Sequence, residues 1–154
     1  MKIFCDTNVI TEFLEKRLQV EAVSTILSLP LDKFELYVSE GGFYTITFLV
    51  DKQLRKMGIF NPERLTNERK ILLRILDTFQ ISVANKTGLL QGVIDTSFKD
   101  LEDSYQFQSA LNCGADVLLT INMKDFEGVK DNCHIRIMTP QSFVTEVVPE
   151  LNGR

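Results

Sequence analysis

The sequence predicts an α/β protein: a three-layer α/β/α sandwich around a central parallel sheet of about five strands. Three observations predict it. Short apolar runs rich in β-branched residues alternate with segments of helical period along the whole chain. The four prolines fall where elements end. Four polar residues, Asp6, Ser39, Asn85 and Thr120, stand at or near the carboxyl ends of such runs, where a parallel sheet gathers its ligands.

The elements follow in order. KIFCD (2–6) reads as a strand, and TNVITEFLEKR (7–17) as a helix with Val9, Ile10, Phe13 and Leu14 on one face. A second helix covers 20–29 and stops before Pro30. FELYVS (34–39) is a strand. GGFYTITFLVDKQLRKM (41–57) is a helix despite its β-branched residues, because the apolar run is too long for a strand. Residues 62–78 form a helix that turns Ile71, Leu72, Ile75 and Leu76 inward, and FQISVAN (79–85) is the third strand. Helices over 87–97 and 101–113, a strand VLLT (117–120), a helical turn at MKDF (123–126), a strand HIRIM (134–138) and a helix after Pro140 complete the chain.

A chain of 154 residues suits one domain, 1–154, able to bury roughly two thirds of its unfolded surface. Its 44% hydrophobic and 25% charged fractions are those of a soluble globule. No apolar run approaches the ~20 residues of a membrane helix, and no leader or transit pattern stands at the start, so a cytoplasmic protein without membrane partners is expected. Cys5, Cys113 and Cys133 are odd in number and widely spaced, as reduced core-filling thiols would be. His134 is the only histidine, which leaves zinc sites and Ser-His or Cys-His catalysis little to work with.

The net charge of −4 does not favour nucleic acid, but it is uneven. Residues 52–74 hold seven cations, among them Lys52, Arg55, Lys56, Arg69 and Lys70, against Glu63 and Glu68; that segment is about +5 and the remainder −9. A pair of solvated helix faces accounts for this, and a phosphate-binding surface is the sharper reading.

The acids carry the most chemistry. In KDLEDSYQFQSALNCGAD, Phe107, Ala110, Leu111 and Gly114 follow Asp103 at the offsets of a core-facing stripe, which places Asp103 at the head of the buried face. Two readings stand level: Asp103 needs a charged partner there, or Asp100 caps the helix while Asp103 complements its dipole. Glu102 falls on the side of Gln106 and Ser109, predicted to be solvated. In VLLTINMKDF, Thr120, Asn122 and Asp125 follow the fourth strand. If the first and fourth strands are neighbours, Asp6, Asp103 and Asp125 share one hollow. Such crowding is relieved by a hard divalent cation, Mg²⁺ or Mn²⁺, and suits metal-assisted phosphodiester hydrolysis.

Three segments in order, CDTNVI, LEDSYQFQSALNCGADVLLTINMKDF and IMTPQSFV, resemble the PIN-domain family almost end to end. The resemblance implies the α/β/α sandwich, an acidic Mg²⁺ or Mn²⁺ site and ribonuclease activity. It also implies that the chain is similar to VapC-type toxins, which are neutralised by an antitoxin and often form homodimers. Asp6 then corresponds to the first acid and Asp103 to the third. Asp125 is taken as the fourth acid, with Asn122 as a neutral oxygen donor or hydrogen-bonding group and Asn8 orienting Asp6. The departure is the second acid, six residues after Ser39, where Thr45 stands. Glu40 cannot replace it from the same helix, since five residues amount to roughly 140° of rotation and about 7.5 Å of rise.

Two other classes compete with the ribonuclease. One is a PIN-like module that has lost catalysis and acts by binding RNA or a protein. The other is phosphoryl transfer through an aspartyl intermediate; haloacid-dehalogenase-like phosphatases want a second Asp at position 8, and receiver domains an acceptor Asp after the third strand, where Asn8 and Val83-Ala84-Asn85 stand.

Overall fold

The computed structural model describes residues 1–131 and 134–152; Cys133 lies outside them. Five strands alternate with helices: β1 (Lys2–Cys5), α1 (Thr7–Leu14), α2 (Val20–Leu27), β2 (Glu35–Ser39), α3 (Glu40–Lys56), α4 (Glu63–Thr78), β3 (Phe79–Ser82), α5 (Lys86–Ile94), α6 (Leu101–Cys113), β4 (Val117–Leu119), a 3₁₀ turn (Met123–Phe126) and β5 (Arg136–Met138). A final helical stretch comprises α7 (Pro140–Ser142), a π turn (Phe143–Val147) and α8 (Val148–Asn152).

All strand pairs are parallel, in the order β3-β2-β1-β4-β5. The chain leaves β1 toward β2 on one side and returns to β4 on the other, so strand order reverses between the two central strands. In an open parallel sheet the crevice outside that reversal is where ligands bind. The order also differs from the 2-1-3-4-5 order of receiver-like folds.

Alternation along the strands divides the core in two. Ile3, Cys5, Leu36, Val38, Val117, Leu119 and Met138 face a layer built from α1 to α4 and the C-terminal helices. Phe4, Leu118 and Ile137 face the other way, against Phe107 and Ala110 of α6 and Phe126 of the 3₁₀ turn. Each such side chain stabilises the fold by roughly 1.5–3 kcal/mol on burial. Burial pushes the Cys5 thiol up to about 12, so it packs and does not react.

Several helices start on a side-chain cap, which fixes where the chain leaves the sheet. Ser39 accepts from the Gly42 N–H at 2.8 Å, Asn85 from Gly88 at 2.8 Å, Asp100 from Glu102 at 2.7 Å and Thr139 from Ser142 at 3.1 Å. These caps explain two differences from the sequence reading. The third strand ends at Ser82 rather than residue 85, because Asn85 is committed to capping α5. α5 stops at Ile94, where the Asp95 carboxylate takes the Ser97 N–H at 2.9 Å and turns the chain. β5 is likewise three residues long, with His134 exposed before it.

The inward faces differ in detail. Val9 and Ile10 are buried as expected, but Phe13 is exposed where it lines an apolar groove of about 720 Å³ shared by α1, α2 and α4, and Leu76 is exposed on α4 outside that groove. On α6 the expected stripe fails beyond Ala110: Leu111 is exposed, and Gly114 ends the helix at φ +67, a left-handed conformation that glycine adopts without strain. The buried face is instead Ser104, Gln106, Phe107, Ser109 and Ala110. Gln106 and Ser109, expected at the solvated side, are covered because α6 lies across β2 and β3.

Candidate acidic site at the carboxyl end of the sheet

Asp6 is the first residue past β1, and its N–H still donates to the Leu119 carbonyl at 2.9 Å, so the strand ladder carries it to the crevice mouth. It occupies the N-cap position of α1, yet its carboxylate makes no well-formed capping bond. Its Oδ2 accepts instead from the Asn8 amide at 2.7 Å and the Thr120 hydroxyl at 2.9 Å. The Thr7 and Asn8 N–H groups lie near enough to favour the charged form without closing a cap.

Thr120 is saturated. Its hydroxyl donates to Asp6 and accepts from Asn8 Nδ2 and the Asn122 N–H, both at 3.1 Å. Asn8 in turn accepts from the Ile121 N–H at 3.0 Å. Asp6, Asn8 and Thr120 thus form one network across the β1/β4 junction. No further side chain among the described residues donates to the Asp6 carboxylate.

Asp103 enters from the first turn of α6 and Asp125 from the 3₁₀ turn. Both are part-buried. Asp125 accepts from the Asn122 side-chain amide. The Asp103 carboxylate has no hydrogen-bond donor among the described residues. Burial pushes it up to about 7, helped by the charges of Asp6, Asp125, Asp100 and Glu102. Asp6, 4% exposed, rises to about 6; burial is the main cause, the Thr120 hydroxyl works against it, and the Glu102 charge adds to it.

The chain therefore brings Asp6, Asp125 and Glu102 within electrostatic reach of Asp103, and Glu102 within reach of Asp6. Among the described residues no three His, Cys, Asp or Glu side chains are grouped tightly enough to hold an ion unaided. The donors present are all oxygens, the set a hard cation prefers, and Mg²⁺ commonly keeps several waters in its shell. On donor chemistry and unrelieved negative charge, the residues fit such an ion.

Beside the acids opens a cleft of about 450 Å³ lined by Glu40, Tyr44, Thr45, Glu102 and Tyr105. Thr45 reaches this cleft, its hydroxyl turned back to the Gly41 carbonyl at 3.3 Å. Glu40 accepts from Tyr44 at 3.0 Å. Ser39 is buried and points inward, away from solvent. The structure thus places Thr45 and Glu102 in one cleft, although they come from different helices.

The basic side chains lie elsewhere. Lys52, Arg55 and Lys56 are exposed on the last turns of α3, and Arg69 and Lys70 on α4. Lys52 is twelve residues beyond Glu40, or roughly 18 Å along the helix axis. Arg55 donates to Asp51 at 2.7 Å, and Arg64 stands 2.9 Å from the same carboxylate. Asp51 falls just outside the basic segment 52–74 and offsets part of its charge.

No family model matches the chain. It is 27% identical over 147 residues to Ribonuclease VapC1 of Aquifex aeolicus (strain VF5), across 92% of each chain. Solved structures share its fold end to end. It superposes on a chain of VapBC-1 from nontypeable Haemophilus influenzae with a TM-score of 0.60 at 18% identity, covering 92% of this chain and 99% of that one. A toxin-antitoxin complex from Klebsiella pneumoniae gives 0.63 at 18% identity, over 90% and 97%. The chain is similar in sequence to that VapC ribonuclease, and its fold is the PIN-like fold of the VapBC structures. On α6, sequence reasoning missed Gln106, whose buried amide sits one turn from Asp103. Its only signal was a polar residue beside Phe107 on an inward face.

Proposed function

We propose that this PIN domain is a Mg²⁺- or Mn²⁺-dependent endoribonuclease, the toxin of a toxin-antitoxin pair. The observation that supports it most directly is Asp103: a carboxylate without a donor among the described residues, raised by the charges of Asp6, Asp125 and Glu102. A neutral binding surface has no use for such repulsion, whereas a cation relieves it. Asp6, Asp103 and Asp125 would hold the ion, with Glu102 beside them on the cleft side. A bound divalent cation supplies charge neutralisation on the in-line transition state and a water of lowered pKa. Asn8 and Thr120 hold Asp6 Oδ2 by two fixed bonds, so the carboxylate cannot rotate away, and one of the three aspartates orients the attacking water.

RNA is the proposed substrate, its backbone held by Lys52, Arg55, Lys56, Arg69 and Lys70 along the α3–α4 hairpin, with Tyr44 and Tyr105 offering stacking faces in the cleft. The name of the Aquifex relative and the toxin-antitoxin and VapBC structures sharing the fold support this reading and a small antitoxin protein as partner. A homodimer and a cytoplasmic location belong to the same proposal. The test is incubation of the purified full chain with single-stranded and hairpin RNAs, with Mg²⁺, Mn²⁺ or chelator. Cleavage that needs the metal and is lost in Asp6→Asn and Asp103→Asn is expected; intact RNA under all conditions overturns the enzyme.

Thr45 favours one second reading, a PIN module that binds RNA without cutting it. Its signature is RNA affinity that chelator leaves unchanged.

A further inference from the structure

Resting on the metal-site reading above, we propose that Gln106 is a positioning residue that sets the separation of Asp103 from Asp6. Gln106 is 3% exposed and lies three residues after Asp103 on α6. Its Nε2 donates to Thr7 Oγ1 at 3.0 Å, and its Oε1 accepts from Ser39 Oγ at 3.0 Å. Thr7 directly follows Asp6, and Ser39 ends β2 and caps α3, the helix that presents Thr45 to the cleft. One amide therefore joins α6, which carries Asp103, to the residue after Asp6 and to the start of α3.

The orientation of this amide follows from its neighbours. The Ser39 oxygen already accepts the Gly42 N–H at 2.8 Å, so its proton is free to donate and must meet an acceptor. Oε1 is that acceptor, which leaves Nε2 for Thr7. These side chains also pack closely against Gly42. A Cβ on Gly42 would stand 2.8 Å from Ser39 Oγ, closer than real contacts allow, and 3.0 Å from Thr7 Oγ1, a tight contact, so the close approach of α3 favours glycine there.

An apolar side chain at 106 would hold α6 against the sheet by contact alone, and such contact tolerates rotation about the helix axis. Two opposed hydrogen bonds from one planar group do not, because their strength falls steeply with misalignment. Asp103 projects less than one turn away, so a small rotation of α6 moves its carboxylate relative to Asp6. Ligand sets tolerate little such movement, about 0.5 Å.

The test compares three variants of the full chain with the wild type by calorimetric Mn²⁺ titration and by thermal melts in chelator. Gln106→Met keeps the volume and removes both bonds. Thr7→Val removes only the Nε2 acceptor. Ser104→Ala removes another buried bond from the same helix, the 2.8 Å bond to the Gly92 carbonyl, which leads to α5 and away from the acids. Mn²⁺ affinity is expected to fall tenfold or more in Gln106→Met and several-fold in Thr7→Val, while Ser104→Ala stays within twofold despite a lowered melting temperature. RNA cleavage by Gln106→Met should show a depressed kcat with KM little changed. Wild-type affinity in both Gln106→Met and Thr7→Val, or an equal loss in Ser104→Ala, overturns the positioning role alone. Should Gln106→Met fail to fold, Thr7→Val decides. A wild type that takes up no Mn²⁺ overturns the metal-site reading, and this inference with it.

Discussion

In the proposed metal site Asp6 carries two opposing duties. It must be ionised to hold a cation, and it is buried where ionisation is costly; burial lifts it to about 6 although two side chains donate to it. Replacing it with Asn keeps the shape and removes the charge. In chelator at pH 8, Asp6→Asn should therefore be more stable than the wild type by about 1–3 kcal/mol, because burial holds the carboxyl at about 6, above the ordinary carboxylate range. Urea unfolding measures this, and a less stable Asp6→Asn would show that the carboxylate is not strained by its surroundings. Thr45 invites the reverse change. Because its side chain reaches the cleft that Glu102 also lines, Thr45→Glu should raise Mn²⁺ affinity severalfold and speed cleavage. Weaker binding in that variant would mean that a fifth acid overfills the site.

Helices and strands place these residues, and they were the more legible level. The strand-final polar residues at 6, 39 and 120 could be read in advance because a parallel sheet makes its strands apolar and its carboxyl ends functional. Asp100 was readable as a cap for the same local reason. Misreadings arose where tertiary cover decides. Leu111 looked like core and is exposed, while Gln106 and Ser109 looked solvated and are buried, because hydrophobic period gives a helix face but not what lies across from it. Charge counting failed similarly at Asp51, one residue outside the basic segment and bonded to Arg55. That pairing separates two variants of α3. Lys52→Ala with Lys56→Ala should flatten the log–log salt dependence of RNA binding by about 1.4, at ~0.7 per single-strand phosphate contact. Arg55→Ala should change it less, since its guanidinium already serves Asp51. Equal slopes for the double variant and wild type would place the RNA away from this helix.

At the level of the molecule, joining β1 to β4 at the centre of the sheet concentrates negative charge at one edge, and pH should read that out in overall stability. Asp6 and Asp103 have folded pKa values of about 6 and about 7, above their ordinary values. The folded state thus binds more protons than the unfolded chain between about pH 4 and 7, so stability falls as pH rises through that window. Asp6 accounts for most of the fall; Asp103 is more open to solvent, which screens its share. Asp51 acts in the opposite sense at lower pH, because its bond to Arg55 holds it below the usual carboxylate range and its contribution is lost on acidification. In chelator, the melting temperature should therefore peak near pH 4–5 and decline toward pH 8. Divalent cation at a hundred times its Kd should restore about 2.7 kcal/mol at the alkaline end and little at pH 4, where protons occupy the acids. Melting curves across pH with and without Mg²⁺ test this. A metal-free stability that climbs from pH 4 to 7, or a Mg²⁺ effect independent of pH, would mean that the four carboxylates do not act as one site.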